Sequence, residues 1–272
     1  MTRTAIIPAT ERKLKNRVSV GFAIKNALTF AHRSLIKMFR TPESFMDVAL
    51  MPIMFTLLFT YLFGGAIAGD IASYLPIIVP GILIQTYLTN CGVAGMQVRE
   101  DMDKSTTNRF ISMPIARTAP IAGILIAEWV RFAIGGIIVF ATGYVIGYRP
   151  EAGILAVIGS ILLMMLIAWC LCWLFTFVAI SVKSISTASA TTIMIMFPLV
   201  FFSNAFVPTE TLPSFLQFFV NHINPVTKAV NAVRQILAHG TIGTDFWLAL
   251  FGALVILAVF IPLTLLAYKR KV

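Results

Sequence analysis

The chain has 272 residues, of which 58% are hydrophobic and only 12% are charged, and its formal net charge is +10. Its mean hydropathy is +0.90, and its charged fraction is about half the roughly 25% of a typical soluble domain. This composition excludes a disordered tail, a disulfide-rich secreted module and an ordinary cytosolic enzyme, because so much apolar surface requires a lipid environment.

The chain before the first apolar run divides into a basic cytoplasmic tail, residues 1–18, and an amphipathic helix, residues 19–43. The tail is not followed directly by an apolar signal-peptide core, so we expect no cleaved signal peptide. The helix has an apolar stripe opposite basic residues, a pattern typical of a helix that lies along an anionic membrane surface. The simpler interpretation is that this helix anchors the chain at the membrane surface. It could also bind a cytosolic partner, and the two roles are compatible. The stripe contains Val20, Ile24, Ala27, Leu28, Ala31, Leu35 and Phe39.

Residues 44–272 form the predicted transmembrane domain, with six apolar runs long enough to cross a bilayer. A hydrocarbon core of about 30 Å requires about 20 apolar residues of helix, and the runs lack the alternation of a barrel strand. The predicted fold class is therefore an all-α membrane protein with six transmembrane helices. The predicted spans are Phe45–Gly64, Leu75–Val98, Ile121–Gly147, Ile154–Ile180, Ala188–Val207 and Phe246–Ala267.

The positions of the basic residues predict the topology. Of the 21 Lys and Arg residues, 17 fall on one side of the predicted spans, three fall on the other, and Arg131 lies within a span. Because basic residues favour the cytoplasmic side, both termini are predicted to face the cytoplasm. The positive charge is thus a topology signal and does not predict a nucleic-acid partner.

The second connection, Arg99–Pro120, is densely charged between two apolar helices. Its length suits one short helix followed by a proline-delimited return. A docking element for a soluble protein and a solvated loop fit this pattern equally well.

Few carboxylates lie within the spans, and only Asp47 and Glu128 qualify. Glu128 and Arg131 are three residues apart, so they can pair across one helical turn. A structural ion pair is favoured over a proton relay, which would require more acids. Transport coupled to an ion gradient is therefore disfavoured.

The segment Pro208–Gly240, between the fifth and sixth spans, is predicted to form two short external helices that lie in or dip into the outer leaflet. A plain extracellular loop is the alternative. Asn224-Pro225 has the pattern of a helix start, and the helix after it is amphipathic. Its predicted apolar face contains Val226, Val230, Val233 and Leu237, and its polar face contains Lys228, Asn231 and Arg234.

The sequence contains no motif for ATP or for catalysis. The phosphate-binding G-x-x-x-x-G-K-[ST] pattern and the H-E-x-x-H and G-x-S-x-G patterns do not occur. Cys91, Cys170 and Cys172 lie within apolar runs and predict inert buried thiols. We therefore predict a chain that is not an enzyme, binds no cofactor or metal itself, and takes the energy for any transport from a partner or a gradient.

The residues Asn108–Arg131, NRFISMPIARTAPIAGILIAEWVR, resemble the ABC-2 type permeases, particularly the daunorubicin-resistance B-subunit group of drug and lipid exporters. Phe197–Pro213 and Asn224–Arg234 are similar to the fifth span and the external segment of the same family. The resemblance extends over the chain from Val20 onward.

The resemblance implies the membrane subunit of an ATP-driven exporter of hydrophobic or amphiphilic cargo, drug or lipid. It implies a second permease subunit, identical or a diverged sibling, membrane lipids around the pair, and two ABC ATPase subunits that bind ATP and magnesium. An exporter of lipid-linked polysaccharide with the same architecture is one alternative. A pore or membrane anchor without an ATPase partner is another.

The resemblance also implies roles for individual residues. The second connection becomes an ATPase-coupling loop, the amphipathic helix an interface helix for the same ATPase, and spans one, two and five the cargo path. The coupling residues would be Arg99, Glu100, Asp101, Asp103, Lys104 and Arg109. The interface-helix residues would be Lys25, Arg33, Lys37 and Arg40. The candidate path residues are Phe55, Phe59, Phe63, Phe197, Phe201 and Phe202.

Overall fold

The computed structural model describes residues 20–103, 118–206, 217–218, 220 and 224–271. Within these ranges the chain forms eight helices, so the predicted all-α class is confirmed. The basic tail, residues 1–18, lies outside the described residues. The helices are α1 (Val20–Arg40), α2 (Pro42–Ala68), α3 (Ile71–Asp103), α4 (Ala119–Ile146), α5 (Gly153–Ser181), α6 (Ile185–Phe201), α7 (Pro225–His239) and α8 (Thr244–Lys271).

Five of the eight described helices are long and apolar enough to cross a bilayer. They are α2 from Met46 onward, α3, α4, α5 and α8, and each matches one of the predicted spans to within one residue or contains it. The remaining predicted span, Ala188–Val207, corresponds to α6, which begins at Ile185, ends at Phe201 and has 17 residues. At 1.5 Å per residue, this helix is only about 25 Å long.

Local and tertiary caps set the two ends of α6. At its start, Ser184 Oγ accepts a hydrogen bond from the Thr187 backbone N–H (3.2 Å), an N-cap contact. At its end, Asn224 Nδ2 donates to the carbonyl oxygens of Leu199 (2.9 Å) and Phe202 (2.6 Å). These bonds satisfy carbonyls that a further turn would otherwise have to satisfy. The apolar run of the sequence continues to Val207, so hydropathy alone overestimates the length of this helix.

The central helix of the bundle is α3, which packs against α2, α4, α5, α6 and α7. Small residues allow this close packing. A Cβ atom at Gly95 would lie 2.8 Å from the Phe175 carbonyl oxygen of α5, and one at Gly92 would meet Thr192 of α6 at 2.6 Å. Cys91 Sγ donates to the Ala168 carbonyl (3.2 Å), so this buried thiol also joins α3 to α5.

The helices α2 and α8 lie at the periphery, with most of their apolar side chains uncovered. Leu62 of α2 is 65% exposed and Phe251 of α8 is 68% exposed. In water such surfaces would promote aggregation, whereas in a bilayer they contact lipid or another subunit. The exposure pattern therefore agrees with a multi-pass membrane protein.

The helix α1 buries only part of its predicted apolar stripe. It ends at Arg40 rather than at residue 43, because Pro42 begins α2. The stripe residues Ile24, Leu28 and Phe39 are each more than half exposed. The face that packs on α4 is centred about one residue position away and consists of Ala27, Ala31, Ser34 and Met38.

The shift of this face has a steric cause. A Cβ atom at Gly123 of α4 would lie 2.8 Å from the Ala27 carbonyl oxygen and 2.9 Å from the Ala31 backbone nitrogen. The two backbones touch at this glycine, so the alanines of α1 face α4 and the larger residues turn to the membrane side.

The second predicted external helix is present as α7, and the Asn224 side chain caps it by accepting from the Val226 N–H (2.9 Å). The predicted apolar face is buried, with Val226, Val230, Val233 and Leu237 at most 2% exposed. Most of the first predicted external helix lies outside the described residues, which within Phe215–Val220 are Gln217, Phe218 and Val220. Arg234, from the predicted polar face, extends to α3, where its guanidinium donates to the Ile77 carbonyl.

We expect that Gly123→Ala will separate α1 from α4. The added methyl group meets backbone atoms, which cannot rotate away, so overpacking should cost about 1–3 kcal/mol. Differential thermal unfolding of the purified protein and protease access to α1 measure the effect. Gly159→Ala is the matched control, because a Cβ atom there meets nothing within 4 Å. Equal stability of the two variants would contradict the close packing of α1 on α4.

Candidate functional site

Five of the six predicted path phenylalanines form two stacked groups of rings, one in α2 and one in α6. In α2, Phe55 stacks on Phe59 with ring centroids 6.1 Å apart, and Phe59 stacks on Phe63 at 5.4 Å. In α6, the rings of Phe197 and Phe201 stack at 4.2 Å. These helices come from distant parts of the sequence.

Phe206 joins the two groups of rings, and sequence analysis did not select it. Its ring lies 4.7 Å from that of Phe59 and 5.3 Å from that of Phe201. Phe206 follows α6 in an irregular turn, so no helical periodicity indicates its direction. We call these six connected rings, Phe55, Phe59, Phe63, Phe197, Phe201 and Phe206, the aromatic band.

Parts of the aromatic band are open to the surroundings of the protein. Phe63, Phe197 and Phe201 are 40%, 54% and 41% exposed, whereas Phe206 is 5% exposed. The predicted path residue Phe202 is 41% exposed, but it lies in the turn after α6. The band therefore has a buried centre and exposed ends, a surface on which a flat apolar molecule could stack.

The turn that carries Phe206 is held at the start of α3. Tyr74 Oη donates to the Phe206 carbonyl (3.0 Å), and the Asn204 amide bonds to Asn231 of α7. Gly81 of α3 lies directly against the Ala205 carbonyl oxygen, so no side chain fits there. We call Ser203–Phe206 the outer turn.

Arg234 of α7 is the main polar contact of the outer turn. Its Nη2 donates to the carbonyl oxygens of Ile77 (2.8 Å) and Asn204 (2.7 Å). Burial lowers the pKa of the guanidinium to about 10, and Tyr74 and Tyr148 act in the opposite direction. Arg234 therefore remains charged at neutral pH and links α7, α3 and the outer turn.

The predicted coupling residues Arg99, Glu100, Asp101 and Asp103 do not lie in a loop. They form the last turn of α3, which continues to Asp103, so the expected boundary of the second connection is wrong. A helix with paired charges can extend beyond its apolar run, because polar side chains at its end satisfy each other. Lys104 and Arg109 lie outside the described residues.

These charges bond to neighbouring parts of the same chain. Arg99 is buried and pairs with Asp103 (2.6 Å), and it donates to the Lys183 carbonyl (2.7 Å). Lys37 of α1 contacts Glu100 at 3.1 Å, and Arg33 contacts Asp101 at 3.5 Å. The ion pairs of Lys37 with Glu100 and of Arg33 with Asp101 thus connect α1 to α3.

The four predicted interface residues of α1 separate into two groups. Lys37 and Arg33 face α3 and contact its carboxylates. Lys25 and Arg40 are exposed. At the same end of the bundle, Lys271 Nζ donates to the carbonyls of Ile180 (2.5 Å) and Val182 (3.0 Å). We call the end of the bundle that carries Arg33, Lys37, the last turn of α3 and Lys271 the charged end.

Glu128 and Arg131 form an ion pair inside the bundle, with Arg131 Nη1 3.0 Å from Glu128 Oε1. Glu128 is 0% exposed and Arg131 is 4% exposed. Arg131 Nη2 approaches Gln97 Oε1 at 3.4 Å, and Gln97 Nε2 donates to Ser34 Oγ (2.6 Å). The pair therefore belongs to a polar group that joins α1, α3 and α4.

Comparison with known proteins identifies relatives over almost the whole chain. The ABC-2 type transporter family model matches residues 26–238. The daunorubicin resistance ABC transporter permease protein DrrB1 of Streptomyces coeruleorubidus is 32% identical over 92% of this chain and 88% of its own length. The probable doxorubicin resistance ABC transporter permease protein DrrC of Mycobacterium tuberculosis is 23% identical over 91% of this chain and 89% of its own length.

We expect that removal of one partner of the buried ion pair will be more harmful than removal of both. Glu128→Ala leaves the Arg131 charge buried without its carboxylate, at an expected cost of about 3–5 kcal/mol. Glu128→Leu combined with Arg131→Met replaces the pair with apolar groups and should be nearly neutral or stabilising. Thermal unfolding and membrane insertion yield measure both variants. If the double variant is as unstable as Glu128→Ala, the fold requires the charged side chains themselves, and an unpaired buried charge does not explain the loss.

Proposed function

The chain belongs to the ABC-2 type transporter family, and from that premise we propose that it exports planar aromatic or other amphiphilic drugs. Proteins of this family are membrane subunits of transporters and work with separate ABC ATPase partners. The relatives named for daunorubicin and doxorubicin resistance support the assignment of drugs as cargo.

The aromatic band is the observation that carries this proposal. Six rings from α2, α6 and the outer turn form one connected group, and several of them are partly exposed. Aromatic rings stack on flat ligands with a preference beyond simple burial. Lipid contact alone requires only aliphatic surface, so a row of stacked rings is better explained by a ring-bearing cargo.

We propose that α6 with the outer turn is a sixth crossing of the membrane. Just before α6 begins, the Lys183 carbonyl oxygen accepts a hydrogen bond from Arg99 at the charged end. After α6, the Phe206 carbonyl oxygen accepts a hydrogen bond from Tyr74, which lies in the first turn of α3. Tyr74 and Arg99 are 25 residues apart on α3, about 38 Å at 1.5 Å per residue, so these contacts lie near opposite ends of the bundle. This separation supports a crossing of the bundle by the segment 185–206.

A sixth crossing supports the predicted orientation of the chain. Helix α8 begins beside α7, where Lys228 pairs with Asp245 (3.1 Å), and it ends at the charged end. The start of α2, which follows α1, is also at that end. With six crossings both termini lie on one side, and the basic-residue count favours the cytoplasm at a bacterial inner membrane.

For energy, we propose two ABC ATPase subunits that bind ATP and magnesium, below a dimer of this chain with itself or with a diverged sibling. The charged end leads directly into residues 104–117, which contain Lys104 and Arg109. Movement of those residues by an ATPase would act first on the last turn of α3 and on its contacts with α1. The helix α3 then extends to the outer turn.

We expect Phe59→Ala and Phe206→Ala to reduce export of doxorubicin. Each removes stacking of about 0.5–1.5 kcal/mol, which corresponds to roughly a 2- to 10-fold loss of apparent affinity. Efflux from inside-out vesicles that contain the chain and its ATPase partner measures this. Phe251→Ala of α8, an exposed ring outside the band, is the control. Unchanged efflux in both band variants, or an equal loss in the control, would contradict the proposed path.

Charge exchange tests whether the end of α3 acts through α1 or contacts the ATPase directly. We expect Glu100→Lys to lower drug-stimulated ATP hydrolysis, because it places two cations together. We expect Lys37→Glu with Glu100→Lys to restore most of it, because the exchanged pair can re-form. Hydrolysis that remains low in the double variant, at normal expression, would show that Glu100 contacts the ATPase itself.

A further inference from the structure

A cavity of about 250 Å³ lies at the charged end, between α1, α3, α4 and α6. Its polar wall is formed by Lys37, Gln97, Glu100 and Arg131. Its apolar wall includes Met38, Met96 and Ile185. At about 30 Å³ per water molecule in the liquid, the cavity holds roughly eight water-sized groups.

The cavity lies at the depth of the lipid headgroups. The apolar run of α3 ends beside it, and the next residues of the helix, Asp101 and Asp103, are charged. The side chains of Lys37 and Glu100 are 45% and 32% exposed, so the cavity opens to the water side. A pocket between helices that opens at this depth is accessible to phospholipid headgroups.

Arg131 is a buried donor on the wall of this cavity. It is 4% exposed, and its Nη atoms bond to Glu128 and Gln97. Among the described residues, its Nε has no hydrogen-bond partner. Leaving a buried charged donor unsatisfied is costly, so Arg131 has hydrogen-bonding capacity that the neighbouring side chains do not use.

The charges around the cavity favour a ligand with both signs of charge. Lys37 and Arg131 can bind a phosphate, and the Glu100 carboxylate can accept from an ammonium group. Glu128 neutralises Arg131 from behind, so the four groups sum to no net charge. A simple anion would therefore meet no excess of positive charge, whereas a zwitterion matches both signs.

We propose that this cavity binds the headgroup of a zwitterionic phospholipid with a primary ammonium, of the phosphatidylethanolamine type. The phosphate lies against Arg131 and Lys37, and the ammonium lies against Glu100. The headgroup has eight heavy atoms, in keeping with the volume. Its acyl chains leave past Met96 and Ile185 along the exposed apolar surface of α6. The bound lipid would join α1 to α3 and α6.

Native mass spectrometry of the purified full-length chain, titrated with phosphatidylethanolamine, phosphatidylglycerol or phosphatidylcholine, tests this assignment. We expect severalfold greater retention of phosphatidylethanolamine than of the other two, because only it combines the phosphate with N–H donors. Glu100→Gln should bring the ethanolamine-to-glycerol retention ratio close to one, and Lys37→Ala should lower retention of both lipids. Asp101→Asn and Lys25→Ala, on the same helices outside the cavity, are matched controls that should leave the ratio unchanged.

The wild-type chain provides a second measurement that does not depend on the variants folding. A phosphatidylethanolamine with a photoreactive group near its headgroup should crosslink to residues around Met96 and Ile185. Crosslinks elsewhere only, a preference for phosphatidylglycerol, or an Asp101→Asn effect equal to that of Glu100→Gln would overturn the proposal. Displacement of the lipid by an equal concentration of soluble glycerophosphoethanolamine would assign the cavity to a water-soluble ligand instead.

Discussion

Hydrocarbon offers no hydrogen-bond partner, so each polar group that this chain carries into the bundle depends on another part of the protein. Arg131 bonds to Glu128 on its own helix and reaches Gln97 on α3. Gln97 in turn donates to Ser34 of α1. Isolated polar groups in such surroundings are expensive. The same bonds that reduce this cost therefore determine which helices stay together, and they attach an amphipathic surface helix to the core.

The central position of α3 follows from the same constraint. Glycines along it permit close packing with α5 and α6, and its two ends carry polar contacts of opposite kinds. Near its start, Ile77 and Tyr74 bond to Arg234 and to the outer turn. Carboxylates of its last turn form ion pairs with basic residues of α1. One rigid helix thus connects the face expected to meet an ATPase with the turn that carries the centre of the aromatic band.

Sequence periodicity was sufficient where burial depends on one helix alone. The all-α class, the apolar face of α7 and the positions of the long helices required only counting of apolar residues. It was insufficient where two segments meet. The end of α6 depends on Asn224, more than twenty residues later in the chain. The buried face of α1 depends on the bare backbone at Gly123. Arg234 turned inward because carbonyl oxygens of α3 were within reach.

For this protein, the sequence by itself determined the solvent, the helices and the family, because apolar run length and local motifs are properties of contiguous residues. The tertiary structure alone decided which side chains act together. Phe206 enters the aromatic band, and Glu100 faces Lys37, only after distant helices have packed. No spacing along the chain encodes those contacts, since they depend on how closely backbones approach and on which buried polar groups still lack a partner.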